Sequence, residues 1–285
     1  MSKVAVVGAG TMGHGIAQVL ALAGYDTVLT DSNAAVLEAA PARIEENLDG
    51  GVTRGKITEG NAREAMSRIQ LLGDLEAAVT DADLVIEAVI EDLGVKRDLF
   101  ARLDSLTVAS AVLATNTSSL SVAAIAAATT RPERVLGMHF FNPVHIMKLV
   151  ELVRHDRTGD EFLARAREAV TRMGKQPIVV NDSPGFASSR LGVVLGLEAM
   201  RMVEQGVASP ADIDKALELG YGHPMGPLKV SDLVGLDVRL AIADYLYQQL
   251  KQPHYEPPKL LREKVAAGEL GKKTGKGFYE WPLKK

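Results

Sequence analysis

The 285-residue chain is 47% hydrophobic and 24% charged, a globular composition that excludes a disordered, collagenous or coiled-coil protein. Its formal net charge of −4 gives no cationic excess for binding nucleic acid or an anionic membrane. The absence of cysteine excludes a disulfide framework, a thiolate nucleophile and a Cys-ligated zinc site.

At roughly 150 residues per domain, the length points to two domains. Short apolar runs at 4–7, 26–30, 69–72, 84–87, 111–114 and 134–138 alternate with helical patterns at 13–23, 34–48, 92–103 and 121–127. Such alternation, with strands apolar on both faces, predicts an α/β fold: a doubly wound, mostly parallel, Rossmann-like sheet. Pro41 should kink or shorten the second helix. Two more strand-like runs, 147–153 and 176–180, flank a helix at 160–173. The breaker Asn181-Asp182-Ser183-Pro184-Gly185 follows. Beyond it only helices are predicted, at 187–205, 211–219, 228–250 and 257–266, the second opened by a capping Ser209 before Pro210. The expected domains are therefore residues 1–182, binding the cofactor, and an all-helical 183–285. The tail at 271–279, with three glycines and three lysines, reads as a basic loop. No apolar run reaches about 18 residues, so no membrane span is expected. A strand pattern beginning at Lys3 leaves no room for a leader peptide, and a cytoplasmic protein is the expectation.

The turn Gly8-Ala9-Gly10-Thr11-Met12-Gly13 joins the first strand to the first helix. Gly8 permits the tight turn, Gly10 leaves room for a pyrophosphate, and Gly13 lets helix and strand pack closely. Asp31, 18 residues past Gly13, ends the second strand. Its carboxylate suits ribose hydroxyls and repels a 2′-phosphate, favouring NAD over NADP.

In an open parallel sheet, ligands bind at the carboxyl ends of the strands. The strand at 84–87 leads to Glu91, that at 111–114 to Asn116, Thr117 and Ser118, and that at 134–138 to His139 and Asn142. Oxidation of an alcohol by hydride transfer needs a base for the hydroxyl proton, and an imidazole, here His139, is a side chain suited to that task. If the run at 147–153 returns antiparallel, the midpoint of 139 and 151 falls at residue 145, and Glu151 faces His139. A carboxylate in an apolar run is costly unless paired, and such a pair would orient the imidazole and favour its protonated form. The alternative is an edge strand with Glu151 in solvent. Ser118 and Asn142 could bond a substrate oxygen or the nicotinamide carboxamide, or could simply form turns. The six histidines are scattered, and no metal site is expected.

The segments VVGAGTMG at 6–13, ATNTSSL at 114–120, MHFFNP at 138–143, MKLVE at 147–151, DSPGF at 182–186, GHPMGP at 222–227 and GKKTGKGFY at 271–279 together resemble the L-3-hydroxyacyl-CoA dehydrogenase family, including the bacterial 3-hydroxybutyryl-CoA dehydrogenases. The resemblance spans essentially the whole chain. It implies reversible NAD-dependent oxidation of a short-chain L-3-hydroxyacyl-CoA, in fatty-acid oxidation or reductive C4 synthesis. It implies His139 as base, Glu151 as its partner, Ser118 at the substrate oxygen and Asn142 near the nicotinamide. Asp31, Glu91, Lys96 and Lys273 are the implied cofactor contacts. The implied second domain is helical and forms most of a homodimer interface. Acyl-CoA is expected between the domains, its phosphates near a helical excursion at about 45–64, where Arg54, beside Lys56, is the expected contact. One residue departs from the pattern: Ser189 stands where the family has a substrate-contacting Asn. Two other readings stay open: a dehydrogenase of a free hydroxy acid or sugar acid on the same scaffold, and a non-catalytic NAD-binding structural or regulatory protein.

Overall fold

Eight extended segments form one sheet in the computed structural model of the chain, which describes residues 1–282. In chain order, the elements up to Ser183 are β1 (Lys3–Val7), α1 (Gly13–Leu22), β2 (Asp26–Thr30), α2 (Ala34–Thr53), α3 (Glu59–Ser67), β3 (Ile69–Leu71), α4 (Leu75–Val79), β4 (Leu84–Glu87), α5 (Leu93–Leu106), β5 (Val112–Thr115), α6 (Val122–Ala126), β6 (Val135–Phe140), β7 (Leu149–Arg154), α7 (Asp160–Arg172) and β8 (Gln176–Asn181). The strand order is β3-β2-β1-β4-β5-β6-β7-β8. All pairings are parallel except β6 with β7. β4, β5 and β6 are buried along their whole length, as expected for strands covered by helices on both faces. The strand order reverses between β1 and β4, which places a ligand crevice at their carboxyl ends.

Pro41 does not shorten its helix: α2 runs for 20 residues with Pro41 inside. An interior proline costs about 3 kcal/mol. The buried stripe Leu37, Ala40, Ile44 and Leu48 outweighs that, at roughly 1.5–3 kcal/mol per large apolar side chain. α4 was not among the predicted elements, and α3 was anticipated only in part, by the helical excursion that the resemblance implies at about 45–64. α3 buries only Ala62 and Ala65, too little apolar content to mark a helical face. Thr58 and Asp74 cap the two helices.

A buried ion pair ties α5 to the start of β6. Arg134 is fully buried and donates to Asp104 Oδ1 at 2.8 Å, Asp104 O at 2.9 Å and Val108 O at 2.7 Å. Burial pushes the Asp104 carboxyl up, but hydrogen bonds from Thr130 and Arg134 and the guanidinium charge outweigh it and bring the pKa to about 2. A carboxyl depressed on folding stabilises fully above its unfolded pKa, near 4, and loses that contribution as pH falls toward the folded value. Asp104→Ala should cost about 3–5 kcal/mol at pH 7, because it strands the buried Arg134 charge. The cost should shrink as pH falls below about 4; urea melts of both proteins at pH 7 and pH 3 check it.

From Pro184 on, the chain forms a second unit of α8 (Ser188–Glu204), α9 (Pro210–Gly220), α10 (Pro227–Val234), α11 (Leu236–Leu250) and α12 (Lys259–Ala266). The single helix predicted at 228–250 is two, broken at Gly235, whose φ of 103° no ordinary side chain adopts comfortably. Asp232 holds the C-terminal tail, accepting Phe278 N at 3.0 Å, Tyr279 N at 2.9 Å and Trp281 Nε1 at 2.8 Å. Among the described residues, no helix is long and apolar enough to cross a membrane.

Candidate active site

The antiparallel return of β7 places Glu151 directly opposite His139. β8 lies beyond β7, so Glu151 is not on an edge strand, and it is 0% exposed. His139 is 6% exposed, and its Nδ1 lies 2.8 Å from Glu151 Oε2. A carboxylate accepts and an imidazole N–H donates, so the contact assigns the Nδ1 proton and leaves the basic lone pair on Nε2. The Phe141 ring packs against the imidazole with centroids 4.4 Å apart. Asn116 Oδ1 accepts Phe140 N at 2.9 Å, pinning the end of β6 to the loop after β5.

A second carboxylate organises that loop. Glu91 Oε1 accepts Thr117 Oγ1 at 2.5 Å and Ser118 N at 3.0 Å, with Ser118 Oγ at 3.4 Å. Glu91 is anchored in turn by Lys96 Nζ at 3.4 Å. Lys96 is 1% exposed and makes its shorter pair with Glu87, at 2.5 Å. Glu87, fully buried, also accepts Thr115 Oγ1 at 2.7 Å and Val89 N at 2.8 Å. Lys96 is therefore engaged by two carboxylates inside the sheet edge. Glu87 and Asn116 were not predicted as site residues. The cue for Glu87, an acid closing an apolar strand, is the one that marked Glu151.

Lys175 is a further residue that no sequence pattern marked. Its ammonium is buried and donates to Val144 O at 2.6 Å and Met147 O at 2.7 Å. Burial pushes its pKa down. It clasps the loop that carries Asn142, which is exposed.

The glycine turn fits a dinucleotide. A side chain at Gly8 would collide with Ala88 O, and one at Gly13 with Gly8 O, whereas Gly10 faces open space. That bare backbone lies at the start of α1, where N–H groups await an anion. Thr11 is exposed, and Met12 sits half-buried at the head of the helix. Asp31 accepts Ala9 N at 2.7 Å and Asn33 N at 2.8 Å. It lines a cleft of about 520 Å³ with Gly8, Asp74, Asp98 and Arg102. Three carboxylates against one guanidinium disfavour a 2′-phosphate there.

Arg54 caps α2, its guanidinium against Gly50. Ser189 lies in the first turn of α8. Lys273 Nζ pairs with Asp237 at 2.6 Å within the second unit.

The sequence profile "3-hydroxyacyl-CoA dehydrogenase, NAD binding domain" matches residues 3–183, and "3-hydroxyacyl-CoA dehydrogenase, C-terminal domain" matches 185–281. The chain is 48% identical over 283 residues to 3-hydroxybutyryl-CoA dehydrogenase of Mycobacterium tuberculosis, covering 99% of both. The crystal structure of M. tuberculosis FadB2 superposes with a TM-score of 0.94 at 47% identity, covering 99% of each chain. That of (S)-3-hydroxybutyryl-CoA dehydrogenase PaaH1 from Ralstonia eutropha gives 0.95 at 40% identity, covering 99% of this chain and 100% of that one. With the buried His–Glu pair and the glycine turn on one sheet edge, and with matches over both units, the chain belongs to the 3-hydroxyacyl-CoA dehydrogenase family.

Proposed function

We propose that the chain catalyses the reversible NAD-dependent oxidation of an L-3-hydroxyacyl-CoA, with a short acyl chain such as 3-hydroxybutyryl, to the 3-ketoacyl-CoA. The observation that carries this reading is the His139–Glu151 pair at 2.8 Å. It stands at the carboxyl end of β6, on the edge shared with the glycine turn. In the oxidation, His139 Nε2 removes the C3 hydroxyl proton, and the buried Glu151 carboxylate stabilises the resulting imidazolium. NAD, held by Gly8, Gly10, Thr11, Met12, Gly13 and Asp31, supplies the hydride acceptor. In the reverse direction His139 returns the proton to the alkoxide oxygen. Ser118, positioned by Glu91, would hydrogen-bond the reacting oxygen, and Asn142 would help to hold the nicotinamide end of NAD.

Lys96 serves the cofactor through Glu91, since its own ammonium is enclosed. Ser189 and Arg54 are assigned to substrate, and Lys273 to cofactor, on the resemblance of their segments. A homodimer is the proposed assembly, supported by exposed apolar side chains on α8 (Leu191, Leu195), α10 (Leu233, Val234) and α11 (Val238). A cytoplasmic setting and a role in fatty-acid metabolism complete the reading.

The test is the absorbance of NADH on adding acetoacetyl-CoA. Rapid loss is expected, with NADPH consumed far more slowly because of the Asp31 cleft. NADH binding without consumption would leave the non-catalytic reading standing, and turnover of free acetoacetate alone would favour a hydroxy-acid dehydrogenase.

A further inference from the structure

One buried charge in the second unit has no partner. Arg239 lies on the inward stripe of α11, with Leu236, Ala243 and Leu246, and is only 5% exposed. Among the described residues its guanidinium makes no hydrogen bond and no ion pair, and its Nε is sealed from solvent without an acceptor. Burial pushes its pKa down to about 10, and no carboxylate among the described residues raises it again. The acids nearest in sequence are all committed: Asp237 pairs with Lys273, Asp244 with Arg262, and Asp232 holds the tail. A charge taken out of water without a counterion is strongly unfavourable, so the arrangement calls for an anion that the described chain does not supply.

The guanidinium lies against a bare face of α8. A Cβ at Gly192 would stand 3.4 Å from Arg239 Nη1, and one at Gly196 would stand 3.8 Å from its Nε. Ser189 is three residues before Gly192 and seven before Gly196, a spacing that puts all three on one side of the helix. Val238, on the exposed side of α11, belongs to the apolar surface assigned above to a second copy; Arg239 turns inward instead.

We propose that Arg239 selects an acidic substrate, the CoA thioester of a 3-hydroxydicarboxylic acid, whose free carboxylate lies over Gly192 and Gly196 and pairs with the guanidinium. The proposal deepens the reading above and rests on it, because Ser189 is assigned there to the substrate. An acyl chain that passes Ser189 along this face comes level with Gly192 after about 4.5 Å, at 1.5 Å per residue, a span of a few methylene groups. The planar fork of arginine matches a carboxylate, and the two glycines leave it uncovered. A methyl terminus in the same place would leave the charge unpaired, which is the basis for discrimination.

The experiment compares thioesters of equal length that differ in one terminal group. Calorimetry gives the Kd of the CoA monothioester of hexanedioic acid and of hexanoyl-CoA, which lack the reacting hydroxyl. NADH formation gives kcat and KM for their 3-hydroxy counterparts. Wild type should bind the diacid thioester about 10- to 100-fold more tightly than the neutral one, the size of a hydrogen bond to a charged group. The preference should appear in KM rather than kcat, because the distal carboxylate is held alike in ground and transition states. Arg239→Met should abolish or reverse the preference, with thermal stability and assembly mass at or above the wild-type values, since an unpaired charge is gone. Arg239→Lys should restore part of it. Equal binding of the two thioesters by wild type would overturn the proposal, and that comparison needs no variant to fold. A preference that survives Arg239→Met would also overturn it, and if that variant dissociates the assembly as well, the guanidinium serves a second copy. Failure of both 3-hydroxy compounds to yield NADH would overturn the catalytic reading, while the Kd values would still decide this one.

Discussion

His139→Asn should lower turnover of acetoacetyl-CoA by about 10²–10⁴-fold, the usual contribution of a positioned general acid–base, with little change in the Kd of NADH. The asymmetry follows from where the residue sits. His139 closes β6 with its Nδ1 on Glu151, whereas the glycine turn and Asp31 lie on other strands of the same sheet. Asparagine can still donate to the buried Glu151 carboxylate, so the variant avoids stranding that charge, but its amide cannot carry a proton at neutral pH. The checks are steady-state rates in both directions and a fluorescence titration with NADH. A rate within tenfold of wild type would remove His139 from proton transfer.

Glu151→Gln should slow turnover by roughly 5- to 10-fold while leaving the Michaelis constant for NADH nearly unchanged. The size follows from replacing a charge-assisted hydrogen bond, about 1.5–3 kcal/mol, by a neutral one of about 0.5–1.5 kcal/mol, a difference of about 1–1.5 kcal/mol at 1.4 kcal/mol per factor of ten. The loss falls on turnover because the carboxylate interacts most strongly with the imidazolium, which exists only once the proton has moved. Glu151 is fully buried in β7 between β6 and β8, so water cannot replace its charge. A variant that weakened NADH binding with turnover intact would assign Glu151 to cofactor binding.

Much of the site could be read from the sequence because it follows from strand arithmetic. Side chains alternate along strands, and an antiparallel return pairs residues about its midpoint. His139 and Glu151 met for that reason. The same costly-acid argument applied to Glu87 would have revealed the buried Glu87–Lys96–Glu91 chain, but Glu87 ends its strand and resembles an ordinary polar boundary. Lys175 was illegible because its partners are carbonyl oxygens, which leave no mark in a sequence. The helices misread were those where local signals and packing disagree. Pro41 argues for a break that the buried stripe of α2 overrides. Gly235 argues weakly for a break that its backbone conformation makes complete.

The hairpin of β6 and β7 also constrains how this gene can tolerate insertions and deletions. The connection at 141–148 lies outside both strands and can change length if the strands stay in step. Removing a single codon at the start of β7, before Glu151, with the preceding residues held in place would rotate every following side chain to the opposite face. That would turn Glu151 away from the imidazole and break the parallel register that joins Glu151 to Ile178 on β8. Length variation among descendants of this chain should therefore collect in the connection and avoid the two strands it joins.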